Sequence, residues 1–249
     1  MSLPVSIQDR VAFVNGANRG IGKTIVETFI EKGAAKIYAG ARQPESLQPL
    51  TEKFGERVIP LPVDLLKPDT IRVAAQTASD ATIVVNNAGV LLKSNPLAES
   101  VFDDFQEELN VNVFGLLHMA QAFAPVLKAN GGGAFVQLNS VASLRSFADF
   151  SSYCASKAAA YSFTQGLRDK LMEQNTLVVS VHPGPIDTDM AHNAGLGDMA
   201  EPTSLVADSI VEALEHGKFH AFPDTMAKQF ESAYRPFAEA FVEANLTEG

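Results

Sequence analysis

Val11-Ala12-Phe13-Val14-Asn15-Gly16-Ala17-Asn18-Arg19-Gly20-Ile21-Gly22 is the stretch on which the reading of this chain turns. An apolar run of strand type ends in a glycine-rich turn, and a helical pattern through Ile25, Phe29 and Ile30 follows. Strand, turn and helix in that order make a cradle for a diphosphate. Glycines let the backbone turn tightly and approach the phosphates, while the unpaired amides and dipole of the helix N-terminus favour the negative charge. The spacing Gly-x3-Gly-x-Gly departs from the common dinucleotide fingerprint Gly-x-Gly-x-x-Gly.

Downstream, apolar runs of strand length alternate with helical patterns. A second strand, Lys36 to Arg42, ends on a basic residue about twenty positions after the glycine turn, where dinucleotide sites discriminate the ribose. An acidic residue there would bind a 2′-hydroxyl; Ala41-Arg42 offers none, and Arg19 adds a second cation, so both favour NADP over NAD. Either arginine alone reads equally well as a solvated surface residue. A third strand, Val58 to Val63, ends at Asp64-Leu65, where Asp64 either meets an adenine edge or caps a turn. A short helix from about Asp69 to Ala78 and a buried fourth strand, Thr82 to Val85, lead to Asn86-Asn87-Ala88-Gly89. Those amides are placed to tie strand ends together or to hold a cofactor at the carboxyl edge of the sheet.

From Ser100 to Ala129 the periodicity is helical, with Asn112 among apolar positions as a core amide or an active-site group, and with Pro125 expected to kink or end the helix. A fifth strand, Ala134 to Leu138, precedes Asn139 and Ser140; a helix then runs to about Glu173, and a sixth strand, Leu177 to Val181, ends at His182-Pro183-Gly184-Pro185-Ile186-Asp187-Thr188. The alternation predicts an α/β fold: a doubly wound parallel sheet of the Rossmann type, about seven strands with helices on both faces. Residues 1–249 are expected to form a single domain with a short substrate lid around 190–202.

In Ser152-Tyr153-Cys154-Ala155-Ser156-Lys157, the tyrosine and lysine fall one helical turn apart on one face. A phenol with a pKa near ~10 is a poor proton-transfer group at neutral pH, and a neighbouring ammonium is expected to favour its phenolate. Alone, the pair is also what an ordinary surface helix would carry.

Composition narrows the partners. Lys plus Arg number 19 against 29 Asp plus Glu, a formal net charge of −10, which argues against nucleic acid and anionic membranes. Cys154 is the single cysteine, so no intrachain disulfide forms; a small buried filler is the expectation for it. With no apolar run suited to a secretory signal or a bilayer span, the expected location is the cytoplasm.

With these motifs in order, the chain resembles the short-chain dehydrogenase/reductase family from Val11 to about Met190. Gly16, Gly20 and Gly22 match its glycine motif, residues 86 to 89 its Asn-Asn-Ala-Gly motif, Asn112, Ser140, Tyr153 and Lys157 its catalytic tetrad, and Pro183-Gly184 its Pro-Gly motif. Asn15 departs from the family's usual threonine, and is expected to make similar local bonds to the turn backbone. The resemblance implies cofactor contacts from Asn18, Arg19, Ile21 and Arg42 on the first two units. It extends them to Asp64, Leu65, Asn87, Ala88 and Gly89, and to Ile186 and Thr188 beyond the Pro-Gly motif.

It further implies reduction of a ketone or aldehyde by NADPH, or the reverse oxidation of an alcohol. Tyr153 would exchange the proton, Ser140 bind the carbonyl oxygen, Lys157 acidify the phenol and hold the ribose, and Asn112 hold a relay water. A homodimer or homotetramer is implied as well. The alternative is a non-catalytic NADP-binding sensor of the same fold. Leu91, Leu92, Phe147 and Phe150, with the segment after Thr188, suggest an apolar substrate pocket. No metal site is expected: His216 and His220 are spaced as a helical pair but interrupted by Gly217. Phe230, Tyr234, Phe237 and Phe241 in the tail read as packing residues.

Overall fold

In the computed structural model, which describes residues 4–244, seven parallel strands form one sheet in the order β3-β2-β1-β4-β5-β6-β7. Strand β1 (Val11–Asn15) leads through the glycine turn into helix α1 (Gly20–Glu31), and β2 (Lys36–Ala41) follows. Helix α2 (Gln48–Phe54), edge strand β3 (Val58–Pro62), α3 (Pro68–Thr77) and β4 (Ile83–Asn86) complete the first half. Pro60 and Pro62 lie on that edge strand, where a missing N–H costs no ladder bond on the open side.

Because the sheet is covered on both sides, its strands read as continuous apolar runs, and alternate residues serve different cores. Val14, Ala39, Val85 and Val136 pack with Ile25 and Phe29 of α1 on one face. Phe13, Val84 and Phe135 pack on the other, against Ile71 of α3 and against Met119 and Phe123.

The second half departs from the sequence expectation in the helix read over 100 to 129. The helix expected over 100 to 129 is two, α4 (Val101–Glu108) and α5 (Gly115–Ala129), joined by a π-helical turn over Leu109–Phe114. Pro125 does not end α5, which runs on to Ala129. After β5 (Gly133–Leu138), α6 (Ser151–Met172) and β6 (Thr176–Val181) come α7 (Asp189–Asn193), α8 (Thr203–His216), a two-residue β7 (His220–Ala221) and α9 (Thr225–Phe237). β7, too short to announce itself as an alternating run, is the seventh strand. Among the described residues no helix is long and apolar enough to cross a membrane.

Sheet order reverses between β1 and β4, and the loops leaving their carboxyl ends part to open a crevice, the usual ligand position in such sheets.

Candidate active site

A cleft of about 1340 Å³ occupies this crevice. Of the residues singled out above for the tetrad and the cofactor, all but Gly22 and Asn112 line it. Gly22 stands behind the turn: a Cβ there would lie 2.1 Å from the Gly16 carbonyl oxygen, and Gly16 itself has φ +62°. Helix α1 has no side-chain cap and no acidic residue in its first turn, so its free amides meet nothing that would repel a diphosphate. The cradle therefore fits a dinucleotide.

Asn15 holds this edge together from behind. Its Oδ1 accepts from Asn87 N–H (2.6 Å) and Ala88 N–H (2.9 Å), and its Nδ2 donates to Asn86 Oδ1 (2.6 Å). Asn86 Nδ2 continues the line to Gln137 Oε1 at 2.7 Å. Asn15 thus bonds across to the end of β4, where local bonds to its own turn were expected. Asn87 serves the turn instead, donating to the carbonyls of Asn15 and Gly16.

The arginines part company. Arg42, at the end of β2, is exposed and makes no ion pair among the described residues; Arg19 pairs with Asp189 at the start of α7, both largely exposed. Asp64 Oδ1 accepts from Leu66 N–H at 3.0 Å, the local turn that was one of its two readings, while Leu65 is buried against Gly115. Thr188 caps α7 through Ala191 N–H and lies against Gly20. Gly184 N–H is held by the buried carboxylate of Asp224, which also caps α9; no sequence signal marked it beyond an Asp ahead of a helical run.

Tyr153 and Lys157 face the cleft from α6 and are both buried. Lys157 Nζ donates to the Leu138 carbonyl at 2.8 Å and lies 5.8 Å from the Tyr153 ring centre. Burial lowers its pKa to about 8, against a smaller opposing pull from Glu108. Burial also drives the Tyr153 phenol above its ordinary value, and the nearby Ser140 hydroxyl offsets only part of this. The acidification expected from the ammonium is not seen here: the cost of removing a phenolate from water sets the direction. Ser140 Oγ also accepts from Ala142 N–H and donates to the Pro183 carbonyl.

Asn112 sits behind the wall. Its amide accepts from Val90 N–H and donates to Val90 O and Ser156 Oγ, so it anchors the loop after β4 to α6. Leu91, Phe147 and Phe150 reach the cleft, as do Met190, Leu196 and Met199; Leu92 does not. Met226 of α9 also lines it, a contribution the distant sequence position concealed. Phe230 and Tyr234 pack behind, against the cluster of Val141, Phe222 and Ala227. Cys154 is buried and accepts from Phe147 N–H. His216 contacts the Glu212 carbonyl, and His220 pairs with Tyr161 and Glu243.

A short chain dehydrogenase family model matches residues 10–198. An uncharacterized oxidoreductase of Staphylococcus aureus (strain USA300) is 31% identical over 219 residues, covering 85% of this chain and 94% of that protein. A short chain dehydrogenase from Burkholderia cenocepacia J2315, solved in complex with NADP, is 35% identical with a TM-score of 0.85, covering 96% of this chain and 99% of that one. A Burkholderia phymatum short chain dehydrogenase/reductase in complex with NAD shares the fold, with a TM-score of 0.83 at 20% identity over 94% of this chain and 96% of its own. Glycine cradle, parallel sheet and matched sequence agree: this chain belongs to the short chain dehydrogenase family, whose members are hydride-transferring oxidoreductases.

Proposed function

We propose that the protein is an NADP(H)-dependent oxidoreductase interconverting a small or medium apolar ketone or aldehyde and its alcohol, with residues 1–249 acting as one domain. The observation that carries this reading is the buried Tyr153 phenol, which lines, together with Ser140 and Lys157, the cleft that the glycine turn also lines.

Bound NADP(H) would supply the hydride. Gly16, Gly20 and the α1 amides would hold its phosphates, and Arg42, free of any ion pair among the described residues, would meet the 2′-phosphate. Arg19 joins it by leaving Asp189. Tyr153 Oη gives its proton to the carbonyl oxygen while Ser140 Oγ, turning its hydroxyl from the Pro183 carbonyl, donates a hydrogen bond to the same atom. Lys157, with a pKa of about 8, is mostly an ammonium at neutral pH and stabilises the phenolate left behind. Asn112, already committed to Val90 and Ser156, positions Lys157's surroundings. The segment 190–202 acts as a lid whose Met190, Leu196 and Met199 exclude water from the substrate. A homo-oligomer belongs to the same reading, supported by the exposure of Phe102 on α4 and Phe163 on α6, which a second copy would cover. A cytoplasmic location follows from the sequence reading.

Tyr153→Phe tests the assignment: the variant retains NADPH binding, followed by cofactor fluorescence, and loses most NADPH-consuming turnover across a panel of ketones and aldehydes. Turnover near that of the wild type would overturn it. NADPH binding with no turnover of any carbonyl by the wild type would favour the sensor.

A further inference from the structure

His182 follows β6 directly and precedes Pro183-Gly184; it is fully buried, and no step described above uses it. Its ring is held edge-on by Tyr161 and stacked on Phe222, at centroid distances of 4.7 and 5.1 Å. Both ring nitrogens are engaged. Nδ1 lies 2.9 Å from Ser143 Oγ and 3.2 Å from the Ser140 carbonyl oxygen, and Nε2 lies 2.8 Å from Ser180 Oγ. The ring therefore touches the backbone of the very residue whose hydroxyl faces the cleft.

Burial, aided by His220, lowers the pKa of the ring to about 3, so at neutral pH it carries one proton and its neighbours decide where. The Ser143 hydroxyl makes a short hydrogen bond to the Ser140 carbonyl, which leaves a lone pair of Ser143 Oγ facing Nδ1. The other group facing Nδ1, the Ser140 carbonyl, is an acceptor only. A bare Nδ1 would oppose lone pairs on both; Nδ1–H donates to both. On the far side, Ser180 Oγ accepts from Asn139 Nδ2 at 2.9 Å and has its own proton to give to Nε2.

We propose that His182 is a positioning residue for Ser140: its Nδ1–H and the Ser143 hydroxyl together hold the Ser140 carbonyl, and so fix the turn that presents Ser140 Oγ to the cleft. The chain on either side of His182 completes the clamp. Val141 N–H and Ser140 Oγ both donate to the Pro183 carbonyl, and Asn139 N–H donates to the Val181 carbonyl. With the ends of β5 and β6 joined around Ser140, its hydroxyl turns from Pro183 to a substrate oxygen by rotation about its own C–O bond, and no backbone has to move. The inference rests on Ser140 binding the substrate's carbonyl oxygen, as in the proposed function.

The test sets two substitutions against each other. An asparagine amide reaches the place of Nδ1 and a glutamine amide that of Nε2, so each variant keeps one half of the ring's bonding and loses the other. A merely structural role would make the two equally poor. His182→Gln lowers kcat about tenfold or more with KM and NADPH affinity unchanged, and His182→Asn recovers most of that loss. Ser143→Ala lowers kcat in the same way and takes the place of His182→Gln should that variant fail to fold. Equal kcat in the two His182 variants, or wild-type kcat in Ser143→Ala, overturns the proposal. In the wild-type protein without substrate, long-range proton–nitrogen correlation NMR on nitrogen-labelled histidine reads the tautomer, the His182 ring being identified by its loss in His182→Asn. Protonation at Nδ1 is the expected result; protonation at Nε2 overturns the proposal whatever the kinetics. Wild-type turnover in Tyr153→Phe would remove the functional reading without changing the tautomer, so the two failures are distinguishable.

Discussion

The side-chain amide of Asn15 donates to Asn86 Oδ1 at 2.6 Å, joining the carboxyl ends of β1 and β4 where the sheet order reverses. Every polar atom of that amide is used, and the atoms it satisfies belong to the segment that lines the cleft. The relation makes Asn15 part of the framework that fixes Asn87, Ala88 and Gly89.

Removing it should be expensive. Asn15→Ala leaves Asn87 N–H, Ala88 N–H and Asn86 Oδ1 without a partner in a buried setting, which costs about 2–4 kcal/mol. Asn15→Thr, which restores one acceptor, costs less. Urea denaturation of the two variants beside the wild type measures the difference.

Gly22→Ala is expected to weaken NADPH binding about tenfold or more, because the new methyl would sit 2.1 Å from the Gly16 carbonyl oxygen and displace the turn. Gly166, within α6 with nothing within 4 Å of an added Cβ, is the control. Gly166→Ala leaves binding intact and stabilises the helix by roughly 0.5–1 kcal/mol. Fluorescence titration and thermal unfolding separate the two effects.

Arg42→Asp should move cofactor preference towards NADH, with the ratio of NADPH to NADH dissociation constants rising about tenfold or more. The carboxylate would repel a 2′-phosphate and accept from a 2′-hydroxyl. An unchanged ratio would assign the 2′-phosphate to another cation of the cleft.

Acid should weaken the fold through His182. The ring is fully buried between Ser143 and Ser180, and burial, aided by His220, lowers its pKa to about 3. An unfolded histidine titrates near ~6.5, so between these values the unfolded chain binds a proton that the folded chain refuses. Stability therefore falls as pH drops from about 6.5 towards 3, by up to roughly 5 kcal/mol from this group. His182→Asn is less stable at neutral pH, but its stability declines more shallowly on acidification. Denaturation midpoints across that range give the slope.

Much of the fold was legible because its determinants are local. A parallel sheet buried on both faces writes its strands as apolar runs, and β1, β4, β5 and β6 stand within a residue or two of their expected limits. The glycine turn and the helical Tyr153–Lys157 pair are equally local: one needs a positive φ, the other a four-residue spacing. What escaped depends on contacts between distant segments. The partners of Asn15 lie 71 to 73 positions away, and Asp224 reaches Gly184 across 40.

The same division decides the chemistry. Residue types and spacings pointed to a dinucleotide cradle and a helical tyrosine–lysine pair, and the resemblance of the ordered motifs to the short-chain dehydrogenase/reductase family implied that Ser140 would join them at one sheet edge. Tertiary structure decided their charge states, since the depth of Tyr153 and the Leu138 carbonyl that accepts a hydrogen bond from Lys157 are consequences of how α6 packs on the sheet. Desolvation is a property of the whole assembled interior, and no window of sequence contains it.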